Sequence, residues 1–347
     1  MKRKYDFVYL TNTPSFYKLN LCNEIAGSHT LLLVLYGYDT EAVNAKLNDK
    51  KDWKFDFEFI YNGNARRHNM VLSFFRLLKL MKSIDTKKIL FAGWLAPEYN
   101  LYSFISPRRK NVMVCESSVF DVSFAGLAGW AKRRIINRMN ATLPSGQPHA
   151  ELFKSVGFNG TQHITGSVGI FHKPGKKPKV CHNPLRYIYV GRLIDAKNID
   201  LLIDVFNRNG KFLTIVGQGI LESGLKAKAK GNITFTGFVD NHKLGGVYQA
   251  HDVFILPSKY EPWGLVVEEA IYWGLPVIVS DKVGSSVDLV KNLGTGCIFQ
   301  SGNSDGLIDA IADMEINYQK YKHSTDRVCF AERDRLQILT YLKLLEE

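Results

Sequence analysis

The sequence predicts an α/β protein with two domains, each built around a parallel sheet. Short apolar runs typical of buried strands alternate with longer segments of helical periodicity along the chain. This alternation restarts after residues 173–179, a segment rich in Pro, Gly and Lys that is typical of a linker. The chain has 347 residues, which is enough for two domains of common size.

The first half begins with a strand at Tyr5–Leu10, a polar loop and a helix at Phe16–Ala26. Helical patterns separate the later strands, as expected for a parallel sheet that is covered on both faces. Those strands are predicted at Thr30–Tyr36, Phe57–Tyr61, Lys88–Phe91, Asn111–Cys115, Ala141–Pro144 and His163–Thr165.

The second half repeats the same alternation and ends in a helical segment from about Glu332 to Glu347. Its strands are predicted at Arg186–Val190, Phe212–Val216, Ile233–Thr236, Val253–Leu256 and Pro276–Ser280. Its helices are predicted at Asn198–Asn207, at His242–Ala250 and directly after Gly264.

Ligands of open parallel sheets bind outside the carboxyl ends of the strands, so functional residues are expected directly after each strand. The richest segment is Glu261-Pro262-Trp263-Gly264-Leu265-Val266-Val267-Glu268-Glu269-Ala270, after the strand Val253–Leu256. One carboxylate precedes the helix and another lies eight residues later, inside it. Gly264 permits a close approach to the backbone, and the free amides of the helix start favour an anion. Carboxylates that grip hydroxyl groups beside a diphosphate-binding helix end are what a nucleotide-sugar site requires.

This segment resembles the Glu-x7-Glu signature of retaining GT-B glycosyltransferases of the family 4 type, with Trp263 where Phe is usual. The resemblance implies that Glu261 holds hydroxyl groups of the donor sugar and that Glu269 holds the ribose. Gly264, Leu265 and Val266 would form the helix start at the nucleotide. The resemblance covers the second half almost continuously, from about Tyr187 to Val287.

Three further segments match the same family. Gly191-Arg192-Leu193-Ile194-Asp195-Ala196-Lys197-Asn198 is similar to its Gly-Arg-Leu…Lys-Asn segment, which implies that Arg192 and Lys197 neutralise the departing diphosphate. The turn with Gly217 and Gly219 matches its Gly-x-Gly turn near the nucleotide. Val239 stands where a backbone contact reads the base. The resemblance also implies a mechanism without a cofactor or metal, and the sequence has no Asp-x-Asp pair to hold one.

The first half resembles the family only loosely. Thr13-Pro14-Ser15-Phe16-Tyr17 occupies the place of a loop that reaches the donor phosphates, but it lacks the glycines usual there. Glu116 follows the strand Asn111–Cys115, where many family members carry a His near the reacting carbon. It could orient the acceptor hydroxyl, accept its proton or merely position a loop.

The resemblance implies the GT-B fold, in which two Rossmann-like domains face each other across a cleft. Residues 1–172 would form the acceptor-binding domain, 173–185 the linker and 186–330 the nucleotide-sugar-binding domain. Residues 331–347 would form a helix that crosses back to the first domain.

Composition and charge restrict the partners and the compartment. No apolar run approaches the roughly 20 residues of a membrane span. The five cysteines are scattered and include no C-x-x-C pair, which argues against a disulfide framework or a zinc site and fits a cytosolic protein. The formal net charge is +12, which favours an anionic partner. First-half basic clusters are Arg66-Arg67, Arg108-Arg109-Lys110 and Lys132-Arg133-Arg134 with Arg138.

The segment Ser73–Lys82 is basic and amphipathic, with Arg76, Lys79 and Lys82 on one helical side. It is consistent either with contact to anionic lipid headgroups or with a core-packing helix that has a solvated face. All the basic clusters together favour the membrane, and predict a cytoplasmic protein at the inner face of the plasma membrane.

The sequence therefore predicts a retaining hexosyltransferase that takes its sugar from a nucleotide sugar, with UDP as the default carrier. The expected acceptor is a glycan or a lipid-linked molecule of polysaccharide or lipopolysaccharide synthesis. The alternatives are a nucleotide-sugar 2-epimerase of the same architecture and a basic nucleic-acid-binding protein. The last alternative has no recognisable nucleic-acid module in its favour.

Overall fold

The computed structural model describes residues 1–38, 49–61, 63–65, 69–94, 96–171, 173–176 and 181–347. The chain divides into two compact units. The first consists of Met1–His172 together with Ala331–Glu347, and the second of Lys173–Phe330. Each unit contains its own parallel sheet, as the sequence predicts.

The first unit contains a seven-stranded sheet in the order β3-β2-β1-β4-β5-β6-β7. Every residue of the second and fifth strands is buried, which explains their continuous apolar sequences. The strands are β1 (Arg3–Thr11), β2 (Leu31–Leu35), β3 (Asp56–Phe59), β4 (Ile84–Ala92), β5 (Asn111–Cys115), β6 (Ala141–Pro144) and β7 (Thr161–Gln162).

Helices cover both faces of this sheet. They are α1 (Phe16–Ala26), α2 (Met70–Lys82), α3 (Pro97–Tyr102), α4 (Gly126–Ile136) and α5 (Gln147–Ser155). One apolar cluster joins buried side chains of α2, α3 and α5, and the end of α4, to the sheet. A second cluster joins buried side chains of α1 to the sheet, and includes alternate residues of β1 that point the other way. The helices after β3, β4, β5 and β6 therefore lie on one face, and α1 lies on the other.

The second unit contains a six-stranded parallel sheet in the order β10-β9-β8-β11-β12-β13. Its strands are β8 (Tyr187–Val190), β9 (Leu213–Val216), β10 (Ile233–Gly237), β11 (Val253–Leu256), β12 (Val277–Ser280) and β13 (Gly296–Phe299). Its helices are α6 (Ile199–Asn209), α7 (Glu222–Lys228), α8 (Asn241–Gln249), α9 (Leu265–Tyr272), α10 (Ser304–Ile316) and α11 (Tyr318–Asp326).

The final helix, α12 (Phe330–Lys343), belongs to the first unit from Ala331 onwards. Its side chain Tyr341, and Leu344 just beyond it, are buried in the same apolar cluster as α1. Arg333 donates a hydrogen bond to the carbonyl of Gly166. No helix in the described part of the chain is both long and apolar enough to cross a membrane.

One predicted strand is wrong. The last strand of the first sheet is Thr161–Gln162, and His163–Thr165 lies outside it. The amides of His163 and Thr165 still bond to the carbonyls of Thr142 and Pro144, so the chain follows β6 in a more irregular path. The strand β13 has no counterpart in the sequence prediction. Arg66-Arg67 lies outside the described residues.

Candidate functional site

In the second unit, β8 and β11 are neighbours from which the chain continues towards opposite edges of the sheet. This is the topological switch point, where an open α/β sheet leaves a crevice at its carboxyl edge. The segment 191–198 follows β8, and the segment 261–269 follows β11. The fold therefore brings together two motifs that are about 65 residues apart in the sequence, as expected for adjacent parallel strands.

The segment after β8 turns back on itself in one 3-10 turn, Asp195–Lys197. The next residue, Asn198, has φ of 53° in the left-handed region and stands at the start of α6. Asn tolerates that conformation better than most residues, which gives a local reason for an Asn after the Lys. The turn is also held to the loop after β11, since the Lys259 amide donates to the Ala196 carbonyl at 2.8 Å.

Lys197 and Glu261 form an ion pair at the switch point. Their side chains are 13% and 15% exposed, so the pair is accessible from one side and otherwise desolvated. Burial, and secondly the charge of Arg192, lower the pKa of Lys197 to about 8. Arg192 is exposed, and its carbonyl accepts the Tyr189 hydroxyl at 3.0 Å. The structure thus places the sequence-predicted sugar carboxylate directly against the predicted phosphate cation.

Short backbone contacts fix the position of Glu261. Its amide donates to the Lys282 carbonyl at 3.0 Å, and its carbonyl accepts from the Gly284 amide at 2.9 Å. Gly264 then caps α9 with φ of 89°, and a Cβ there would lie 3.2 Å from Cγ of Glu261. Position 264 therefore requires a glycine, because its backbone is left-handed and the side chain of Glu261 leaves little room for a Cβ. The amides of the first helical turn, including Leu265 and Val266, have no acceptor within the helix.

Two adjacent carboxylates of α9 have different environments. Glu268 is fully buried, and its carboxylate accepts the indole N–H of Trp263. Glu269 is half-buried and accepts the Tyr248 hydroxyl at 3.1 Å. Burial raises the pKa of Glu269 to about 7, the Tyr248 hydrogen bond opposes that rise, and the charge of Glu268 adds to it. The carboxylate available to a ligand is therefore Glu269, the one that the spacing selects.

Gly217 and Gly219 are required by packing between neighbouring loops. A Cβ at Gly217, where φ is 131°, would lie 1.9 Å from the carbonyl oxygen of Gly191. A Cβ at Gly219 would lie 2.3 Å from the carbonyl oxygen of Leu193. The Leu193 amide also donates to the Gln218 carbonyl at 3.0 Å. These glycines therefore let the turn after β9 support the loop that carries Arg192 and Lys197.

Val239 lies two residues beyond β10, is half-buried and belongs to the same carboxyl edge of the sheet. Contact of its backbone with a base remains a prediction, as does contact of Gly217 and Gly219 with a nucleotide. Across the described residues, no group of three or more His, Cys, Asp or Glu side chains is arranged to hold a metal ion.

In the first unit, Glu116 belongs to a polar cluster at the carboxyl end of β5. Its Oε2 accepts the hydroxyl of Tyr17 at 2.7 Å, and its Oε1 lies 3.5 Å from Nζ of Lys18. Although burial opposes the charged form of Lys18, the Glu116 carboxylate raises its pKa. Burial, with the Glu116 charge second, raises the pKa of Tyr17 to about 12. A small cavity beside these groups is lined by polar side chains, among them Ser145, Ser167 and Gln337, and by apolar ones such as Leu21 and Val114.

Lys18 and Tyr248 also belong to these sites, although no pattern in the sequence predicts them. Lys18 precedes Glu116 by almost a hundred residues, and Tyr248 lies on a different helix from Glu269. A single Lys and a single Tyr carry no motif, so only the packing of the elements reveals them. The sequence shows Trp263 in place of the usual Phe, and Glu268 beside the favoured Glu269, but it does not predict the hydrogen bond between Trp263 and Glu268.

Residues 175–327 match the family model described as glycosyl transferases group 1. A GDP-mannose-dependent alpha-mannosyltransferase of Mycobacterium tuberculosis is 34% identical over 134 residues, which is 38% of this chain and 35% of that protein. The chain spans less than two thirds of the length of this and other curated relatives that it matches.

Two solved structures match almost the whole chain. The apo lipopolysaccharide outer core galactosyltransferase WaaB has a TM-score of 0.71 and 12% identity, covering 98% of this chain and 99% of that one. HepE of Anabaena in complex with UDP-glucose has a TM-score of 0.70 and 16% identity, with coverage of 98% and 99%. Identities this low establish the fold alone. The chain has the GT-B fold, and its second unit is similar to the glycosyl transferases group 1 family over residues 175–327.

Proposed function

We propose that this protein is a retaining glycosyltransferase that moves a hexosyl group from a nucleotide sugar to a glycan or lipid-linked acceptor. The observation that carries the proposal is the ion pair of Lys197 with Glu261 at the switch point. Glu269 follows eight residues later, beside a helix start that favours anions. The second unit is the donor-binding domain and the first is the acceptor-binding domain.

Donor binding exchanges the partners of this ion pair. The sugar hydroxyls donate to Glu261, and the diphosphate accepts from Lys197 and from Arg192. The start of α9 lies between the two signature carboxylates, so its amides face the same anion. Glu269 accepts the ribose hydroxyls, and the backbone around Val239 contacts the base. Leu265, Val266, Gly217 and Gly219 shape the nucleotide site around these groups.

Transfer breaks the bond between the anomeric carbon and the diphosphate oxygen, and forms a bond from that carbon to the acceptor oxygen on the same face. Negative charge grows on the leaving diphosphate, and two cations with a helix terminus stabilise it without requiring a metal. The acceptor proton passes to the leaving phosphate. Both carboxylate oxygens of Glu116 already have partners in the first unit, which fix its position. We therefore assign Glu116 to orienting the acceptor hydroxyl rather than to accepting its proton.

The donor class is a nucleoside diphosphate sugar, and a UDP-sugar is our first choice. The structural neighbour HepE was solved with UDP-glucose, which supports that choice. The mannosyltransferase relative depends on GDP-mannose, so GDP is the competing carrier in the nucleotide panel below.

The acceptor that we propose is a growing polysaccharide or lipopolysaccharide-type glycan at the cytoplasmic face of the inner membrane. The fold neighbour WaaB acts on the lipopolysaccharide outer core, which supports this class. The net charge of +12 fits a protein that works at an anionic surface.

The test begins with thermal shifts in UDP, GDP, ADP, CMP and dTDP without metal, since a ligand of the folded state raises its stability. The nucleotide that binds then selects the sugars for transfer assays. Glu261→Gln should abolish transfer and keep the fold, whereas Glu222→Gln, in an exposed pair with Lys226, should behave as wild type. Near-normal transfer by the first variant would refute the assignment. Conversion of the nucleotide sugar without any acceptor would indicate an epimerase instead.

A further inference from the structure

The outer side of two helices in the first unit combines exposed apolar side chains with basic ones. On α2, Val71 and Phe75 are 65% and 62% exposed. On α4, Leu127 and Trp130 are 87% and 58% exposed. Large apolar groups that are exposed this far, several on one side of a protein, mark an interaction surface.

Both helices lie on the same face of the sheet. Buried residues at their inner sides, Leu77 and Met81 of α2 and Ile136 of α4, belong to one apolar cluster. Each helix follows a strand of the parallel sheet and runs back antiparallel to it. Their amino-terminal ends therefore lie at the same edge of the sheet, and the short helix α3 lies between them.

The two helices have the same order of side chains along their outer sides. Val71, Phe75, Lys79 and Lys82 are spaced as one stripe of α2, apolar first and basic afterwards. Leu127, Trp130 and Arg134 repeat that order on α4, and the Arg134 guanidinium lies 5.2 Å from the centre of the Trp130 ring. The apolar groups thus collect at one edge of this face, with a basic band behind them.

The charge of this surface identifies its partner. Each helix carries three basic residues and no acidic one, so the two supply six of the chain's twelve net positive charges. Only Gly129 and Ile136 of the 11 residues in α4 are buried, so the helix presents most of its surface outwards. Apolar side chains beside Lys and Arg are the composition of a surface that lies in an anionic bilayer interface.

We propose that the outer sides of α2 and α4 dock the first unit on an anionic phospholipid surface, with Phe75, Leu127 and Trp130 inserted among the lipid chains. Lys79, Lys82 and Arg134 then face the headgroups. Arg76 is not among the residues that face the headgroups, because its guanidinium donates to the Ile60 carbonyl at 3.0 Å. The inference rests on the proposed function only for the purpose of docking, which is to reach a lipid-linked acceptor.

Co-flotation of the full chain with phosphatidylcholine vesicles, with and without phosphatidylglycerol, tests this proposal without any donor. We expect binding to the anionic vesicles alone and a loss of binding in high salt. Leu127→Gln and Trp130→Gln should each weaken partitioning about tenfold, from the apolar area they remove. Ile316→Gln is the control matched to Leu127→Gln, since Ile316 lies on the second unit and is 82% exposed.

Trp130 supplies an independent readout, because insertion should shift its fluorescence to shorter wavelength and Trp130→Phe should remove that shift. Equal binding to neutral vesicles, or binding unchanged by both Gln variants, would overturn the proposal. A dimer that Trp130→Gln dissociates, without vesicle binding, would assign the face to a second copy. A nucleotide shift and transfer to a soluble acceptor would still report on the proposed function separately.

Discussion

Replacement of Glu269 by Gln should weaken nucleotide binding at least about tenfold and stabilise the free protein. The Glu269 carboxyl is half-buried and accepts one hydroxyl, that of Tyr248, at 3.1 Å. Burial is the main reason that its pKa is about 7 instead of 4.5. A Gln has the same shape, and its amide oxygen can accept the same hydrogen bond.

The direction in which stability changes with pH follows from proton binding. The folded protein holds the Glu269 proton more tightly than the unfolded chain, so stability falls as pH rises from 4.5 and reaches its full loss above about 7. At about 1.4 kcal/mol for each pKa unit, the loss is roughly 3 kcal/mol. Glu269→Gln removes the ionised form. We therefore expect its free energy of unfolding at pH 8 to exceed that of the wild type by about 2–3 kcal/mol.

Urea unfolding at pH 8 and at pH 6 measures this difference, which should be larger at pH 8. Affinity for UDP, or for the nucleotide that the panel selects, should fall at least about tenfold because a neutral amide accepts the ribose diol less strongly. Glu222→Gln should change neither quantity. A variant less stable than the wild type at pH 8 would refute the desolvation argument, and unchanged nucleotide affinity would refute the ribose assignment.

Three further predictions concern the supports of the same site. Nucleotide affinity should fall as pH rises through about 8, because the charged form of Lys197 binds the diphosphate. Isothermal titration at a series of pH values should show a smaller fall in affinity for Lys197→Arg, whose side chain stays charged. An equal fall in the variant and the wild type would contradict this. Gly217→Ala should destabilise the fold by about 3 kcal/mol or more, seen as a lower melting temperature, because its Cβ would lie 1.9 Å from a backbone oxygen. The control Gly224→Ala, in open space on α7, should be neutral or stabilising. Trp263→Phe should lower the free energy of unfolding in urea by about 1–3 kcal/mol, because it removes a donor from the buried Glu268 carboxylate. If Trp263→Phe cost as much in the Glu268→Gln background as in the wild type, that cause would be disproved.

The local pattern of the sequence was sufficient for most of the elements. The helix Phe16–Ala26 and the strands Asn111–Cys115, Ala141–Pro144 and Val253–Leu256 lie where apolar runs and turn residues place them. A parallel strand that is buried on both faces is apolar along most of its length, so it can be predicted without knowing which strands lie beside it. The strand Gly296–Phe299 was missed because it is short and begins at a glycine that packs against the backbone of Val277.

The sequence by itself determined the two-sheet α/β architecture and the positions of Arg192, Lys197, Glu261 and Glu269, because each follows a strand end in a recognisable spacing. Only the tertiary structure decided which charges meet. The pairings of Lys197 with Glu261 and of Glu116 with Lys18 depend on strand order. These are contacts between residues far apart in the chain, and no local periodicity encodes them.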